Sequence, residues 1–99
     1  MRSIQKLAHR IHEELEDAQR YAECYVEKKA AGKTQQASSY KKMADDELQH
    51  AAILHEFAVS EIDQLKTVFK APADMQDKWD AEHREYVSKA AWVKQMLSM

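Results

Sequence analysis

Tyr40-Lys-Lys-Met43-Ala-Asp-Asp-Glu47-Leu-Gln-His50-Ala-Ala-Ile-Leu54-His-Glu-Phe57 is the stretch from which the fold is read. Its large apolar residues, Tyr40, Met43, Leu54 and Phe57, recur at spacings of three and four, the period of one face of an α-helix. Two polar residues, Glu47 and His50, occupy the same face midway along it. The preceding segment repeats the arrangement. Ile4, Leu7, Ile11, Ala18, Tyr21 and Tyr25 form a helical stripe, and Glu14 interrupts it near its middle. Val, Ile and Thr never fall into runs of period two, so strands have no support.

Composition agrees with an all-α chain. Its 99 residues contain one Gly and one Pro, which leaves little material for turns and places the chain near the small end of single domains. One domain over residues 1–99 is expected. Ser3 can cap a first helix running to about Ala31, where Gly32 supplies a left-handed stop. Thr34 can cap a second helix continuing to about Lys70. Pro72 breaks it, and Asp74 can cap a third helix over roughly Met75 to Leu97. The third stripe is Met75, Trp79, His83, Tyr86, Ala90, Val93 and Leu97. The connection between the first two helices is very short, which predicts an antiparallel hairpin. A hairpin and one further helix cover these stripes incompletely. A second copy closes a four-helix bundle, so a homodimer is the natural minimum assembly.

The middles of antiparallel helices lie side by side, so Glu14, Glu47 and His50 are predicted to meet. A carboxylate turned inward costs several kcal/mol unless paired or coordinated. No Lys or Arg falls at the matching inward positions, with Lys28 at the far end of its helix. A metal ion is then the source of positive charge, and carboxylates with imidazole suit iron, manganese or zinc. The competing reading runs the buried stripe of the second helix along Ala44, Ala51, Ala58 and Leu65, which leaves Glu47 and His50 on a solvated face.

At these residues the chain resembles a known group. Glu13-Glu14-Leu15-Glu16 with Tyr21 is similar to the first helix of the encapsulated ferritins, and rubrerythrin-type proteins share the Glu-to-Tyr spacing. Asp45-Asp46-Glu47-Leu48-Gln49-His50-Ala51-Ala52 resembles their second helix, and Lys78-Trp79-Asp80-Ala81-Glu82-His83 through Tyr86 resembles the segment that follows. The resemblance spans about Glu13 to Tyr86 and is patchy between the motifs. It implies a half-length ferritin with a di-iron site across a two-fold dimer interface, and oxidation of Fe(II) by oxygen. It also implies Glu14, Glu47 and His50 as iron ligands, Glu13 and Glu16 as secondary metal positions, and Tyr21 as an aromatic near the centre. The plan needs a Glu from each of two helices and a Glu-x-x-His pair from each of the other two. Two copies supply that set, and four carboxylates balance two divalent ions. The chain departs from the group in a longer loop between the motifs. It also ends in helix, Trp92 to Met99, without the tail that addresses encapsulated members to a shell, which argues against an encapsulin partner.

The remaining features mostly exclude. Fifteen basic against seventeen acidic residues give a net charge of -2, and the cations form no stripe, so nucleic acid is not expected as a partner. No apolar run approaches a membrane span, and the N-terminus lacks a signal-peptide core. The single Cys24 fits a reducing cytoplasm. His9 with Glu13 and His12 with Glu16 are i,i+4 pairs that read either as a solvated face or as an outward metal site. His83 reads as a packing histidine, His55 and Glu56 as exposed, and Tyr21, Tyr25 and Tyr40 as core or as cover for the metal site. Trp92, Met96 and Met99 suggest a sticky helix end. Two functions follow as expectations: an iron-binding, ferritin-like protein with ferroxidase activity, or a metal-free helical dimerisation or adaptor protein.

Overall fold

Helix-forming residues fill each segment, and the computed structural model, which describes residues 2–68 and 73–99, places three helices there and no strand among them. They are α1 (Arg2–Ala30), α2 (Thr34–Val68) and α3 (Ala73–Leu97). α1 stops at Gly32, whose φ of 75° lies in the left-handed region. The Gly32 N–H donates to the Lys29 carbonyl at 3.1 Å and the Lys33 N–H to the Lys28 carbonyl at 2.9 Å, the paired bonds of a Schellman stop.

The expected caps shift by a residue or two. α1 already includes Ser3, whose hydroxyl bonds the Glu61 carboxylate of α2. Thr34 is the first residue of α2, and the Lys33 carbonyl accepts the Ala37 N–H at 3.0 Å. α3 begins before Asp74, which therefore lies inside its first turn. The expected break at Pro72 lies outside the described residues.

α1 and α2 form the antiparallel hairpin, and α3 packs mainly on α1 while touching α2 little. Trp79 and Tyr86 join Ile11, Leu15 and Ala51 in one cluster. Val93 and Leu97 join Ala18, Ala22, Tyr25, Ala37 and Ala44 in the other. α3 thus runs parallel to α1. The molecule measures 56 × 17 × 17 Å, its length set by the 35-residue α2 at about 1.5 Å per residue.

The seam of the hairpin corrects the reading of the second stripe. In α2 the buried residues are Ala37, Ala44, Ala51, Ala58 and Ile62, while Met43 and Phe57 are 40% and 53% exposed. Tyr40 and Leu54 are half-buried, as is Leu65. In α1, Ile4, Ile11, Ala18 and Tyr25 are buried as expected, but their companions are Leu15 and Ala22. Leu7, Glu14 and Tyr21 sit half-buried on the flank. Each alanine adds little apolar area, but the column brings the helix axes close.

α3 covers one side of the hairpin. His12 meets α3 through Glu85, and Glu14 lies two residues, about 200°, further round α1. His55 of α2 stacks on α3, and Phe57 lies about 200° from it. The side opposite α3 therefore carries Glu14, Tyr21, Met43, Glu47, His50 and Phe57, with no element of the described chain over it. Among the described residues the largest fully buried side chains are only Leu15 and Val93.

Ala51 is fully buried in the seam. Ala51→Leu should push the helices apart and destabilise by about 1–3 kcal/mol, read as a lower urea midpoint. Ala52→Leu, one position off the seam, should cost clearly less.

Candidate metal centre

Glu14 projects from the middle of α1, and Glu47 and His50 from adjacent turns of α2. The structure brings all three together: one donor atom from each lies within 4.8 Å of the other two. His50 Nδ1 stands 3.6 Å from Glu14 Oε2 and 3.7 Å from Glu47 Oε1. The carboxylates are tucked in, at 17% and 19% side-chain exposure, while the imidazole is 56% exposed and opens onto the uncovered side. Neither sequence reading holds alone. The alanine column is the seam, yet Glu47 is also drawn in beside it.

The cluster is short of positive charge. Glu47 holds its proton up to about pH 7, first because burial penalises its charge, then because Glu14 shares a hydrogen bond with it and repels its anion; His50 acts the other way and Asp17 adds to the rise. One cation that the sequence reading overlooked does approach. Arg10, a turn before Glu14, comes within 3.9 Å of its other oxygen. At 60% exposed, it is a weak, solvent-screened partner.

Glu13 and Glu16 do not join this centre. Glu13 pairs with His9 at 2.9 Å on the exposed flank. Glu16 pairs with His12 at 2.8 Å, toward α3. Tyr21 and Tyr40 pack on each other with ring centroids 6.3 Å apart, on the same side of the hairpin as the cluster and two helical turns from it. Tyr25 is instead buried in the seam, with Lys29 and Lys41 over its ring at 5.7 and 5.9 Å.

Two histidines differ from expectation. His55 is half-buried, not exposed. It stacks between Trp79, His83 and Tyr86 at 5.4, 5.0 and 4.9 Å. Burial, then the neighbouring His83, holds its pKa below the usual value. His83 is exposed and stacks on His55 and Tyr86. The signal that could have found His55 is its position four residues after Ala51, on the seam side nearest α3.

The donor set fits a first-row divalent ion in chemistry: two carboxylates and one imidazole, with the oxygens carrying more negative charge than nearby cations balance. Compared with known protein families, with curated proteins and with solved structures, the chain gives no match.

Without metal, the pair makes a signed pH prediction. Glu47 keeps its proton to about 7 when folded and to its ordinary 4.5 when unfolded, so the folded state binds more protons across that window. Stability therefore falls as pH rises from about 4.5 through about 7. His55 acts in the opposite sense, its contribution being lost as pH falls through the window below 6.5. The difference between wild type and Glu47→Gln isolates the carboxyl. In chelator, the urea midpoint of wild type should drop relative to that of the variant between pH 5 and pH 8. Parallel profiles would place the effect elsewhere.

Proposed function

We propose that this chain is a ferritin-like, iron-binding protein in which two copies close a four-helix bundle over two sets of Glu14, Glu47 and His50. The observation that carries this reading is the convergence of those three side chains, with a deficit of positive charge, on the side of the hairpin that α3 leaves open. Met43 and Phe57 give that side an exposed apolar rim, the kind of surface a second copy would cover. The resemblance to the encapsulated ferritins supports iron over manganese or zinc, and ferroxidase activity over passive binding.

On this reading Glu14 and Glu47 of each chain would hold and balance two divalent ions, and His50 would add a neutral nitrogen ligand to each set. Iron bound there would supply the redox chemistry, Fe(II) passing to Fe(III) with oxygen as oxidant. The chain's own contribution is to position the carboxylates, keep them partly dry and leave the imidazole facing the partner. Glu13 and Glu16 are assigned as secondary metal positions by the resemblance alone, since each is paired with a histidine.

A second reading has its own support. Partial protonation of Glu47 near pH 7 and the approach of Arg10 ease the pair without metal, and the same open face would serve a metal-free dimer or adaptor.

Metal analysis of protein purified without chelator, together with its solution mass, separates the two. The proposal expects one iron per chain and a mass of at least a dimer. Glu47→Ala should lose tight iron binding while keeping its helicity, and Phe57→Asp should shift the mass toward monomer and weaken iron binding with it. Equal iron in Glu47→Ala and wild type would remove the inner site. A dimer with no stoichiometric metal, whose thermal stability ignores chelator, would favour the second reading.

A further inference from the structure

A second group of donors lies on the other side of the hairpin, where α3 meets α1. His12 extends from α1 between two carboxylates. Its Nε2 is 2.8 Å from Glu16 Oε1 on its own helix, and its Nδ1 is 3.5 Å from Glu85 Oε1 on α3. Glu82, one turn earlier on α3, points to the same place. One donor atom each from His12, Glu82 and Glu85 falls within 4.8 Å of the others, and all three residues are half-buried.

The geometry concentrates negative charge at one imidazole. Glu16 flanks His12 on one side and Glu85 on the other, with Glu82 close by. A divalent ion among these donors would balance the carboxylates. A carboxylate holding the far nitrogen of an imidazole is also the usual way a metal-binding histidine is oriented. Lys89 is already bonded to Glu85 at 3.0 Å, and this bond is the first cause holding Glu85 below the ordinary carboxyl range. Glu82 has no hydrogen bond or ion pair among the described residues. Three carboxylates, Glu16, Glu82 and Glu85, thus surround one imidazole with a single lysine at the edge.

We propose that His12, Glu82 and Glu85 form a separate divalent-cation site that clips the first half of α3 to α1, with Glu16 as the positioning residue for His12. Mixed imidazole and carboxylate donors select a first-row transition ion or zinc over calcium or magnesium. The placement has a mechanical consequence. Among the residues of α3 whose burial is described, the buried ones, Val93 and Leu97, are both in its last turns. Trp79 and Tyr86 are only half-buried, so an ion there ties down the helix where apolar packing is thinnest.

The test uses zinc alone, in a background whose inner donors are removed by Glu14→Gln and Glu47→Gln. Calorimetric titration should give one zinc per chain, and Co(II) in its place should give visible absorption. Adding His12→Ala should weaken binding at least tenfold, Glu82→Gln should weaken it several-fold, and Glu23→Gln should leave it unchanged. Zinc should also raise the melting temperature of the background variant, and His12→Ala should abolish that rise at unchanged helicity by circular dichroism. If the background variant loses its helicity, the same comparison in wild type should show His12→Ala removing one bound ion per chain while Glu47→Ala removes another. No zinc in the folded background variant, or zinc binding indifferent to both His12→Ala and Glu82→Gln, would overturn the site. Loss of metal only with Glu47→Ala would leave the inner centre standing and remove this one.

Discussion

Two carboxylates, Glu14 and Glu47, are held closer together and drier than two negative charges tolerate, and the alanine column is what holds them there. Ala37, Ala44, Ala51 and Ala58 recur every seven residues along the seam. Methyl side chains let α1 approach α2, and the approach sets Glu14 beside Glu47 at the middle of both helices. Larger residues at those positions would widen the seam and relax the pair. The structure leaves few remedies: a proton on Glu47, the distant guanidinium of Arg10, or a cation among the three donors.

Much of this was legible in the residues. Gly32 marked the hairpin turn, and its positive φ and paired bonds are what a Gly after Lys28-Lys29-Ala30-Ala31 predicts. The spacing of Glu14 against Glu47 and His50 foretold which side chains would meet, because antiparallel helices joined by a short turn leave little freedom in register. The seam itself was less legible. Reading large apolar residues as the buried stripe favoured Met43 and Phe57, whereas close packing of two helices selects small ones. Ala22 was missed for the same reason, whereas Leu15 is large and was missed because the column was set one position round, on Glu14 and Tyr21. The azimuth of α3 was not encoded in its periodicity at all, since Trp79, His83 and Tyr86 fit more than one rotation. The meeting of Glu82 and Glu85 with His12, and of His55 with the aromatic rings, could not therefore be foreseen.

The two sides of the hairpin carry opposite solutions to one problem. A pair of long helices has two flanks, and among the described residues one further helix, α3, is there to cover them. α3 takes the flank with His12, Leu15 and His55, packing Trp79 and Tyr86 there and burying Val93 and Leu97 most deeply. The other flank keeps Met43 and Phe57 in water together with the mouth of the acidic cluster. Exposed apolar side chains beside half-dry carboxylates are an unstable combination for an isolated chain: the first invite a cover, and the second resist one.

That conflict is why assembly and charge neutralisation belong together in the proposed reading. In a single chain the cluster opens to water through His50, and one proton on Glu47 suffices to quiet it. A second copy laid over Phe57 and Met43 would close that opening and bring another pair of carboxylates toward the first. Desolvation of four carboxylates cannot be met by shared protons alone at neutral pH without forfeiting their hydrogen bonds to water. Divalent ions between the copies would turn the same four charges from an obstacle to association into its main attraction. The apolar rim then sets where the partner sits, and the acidic centre sets whether it can stay.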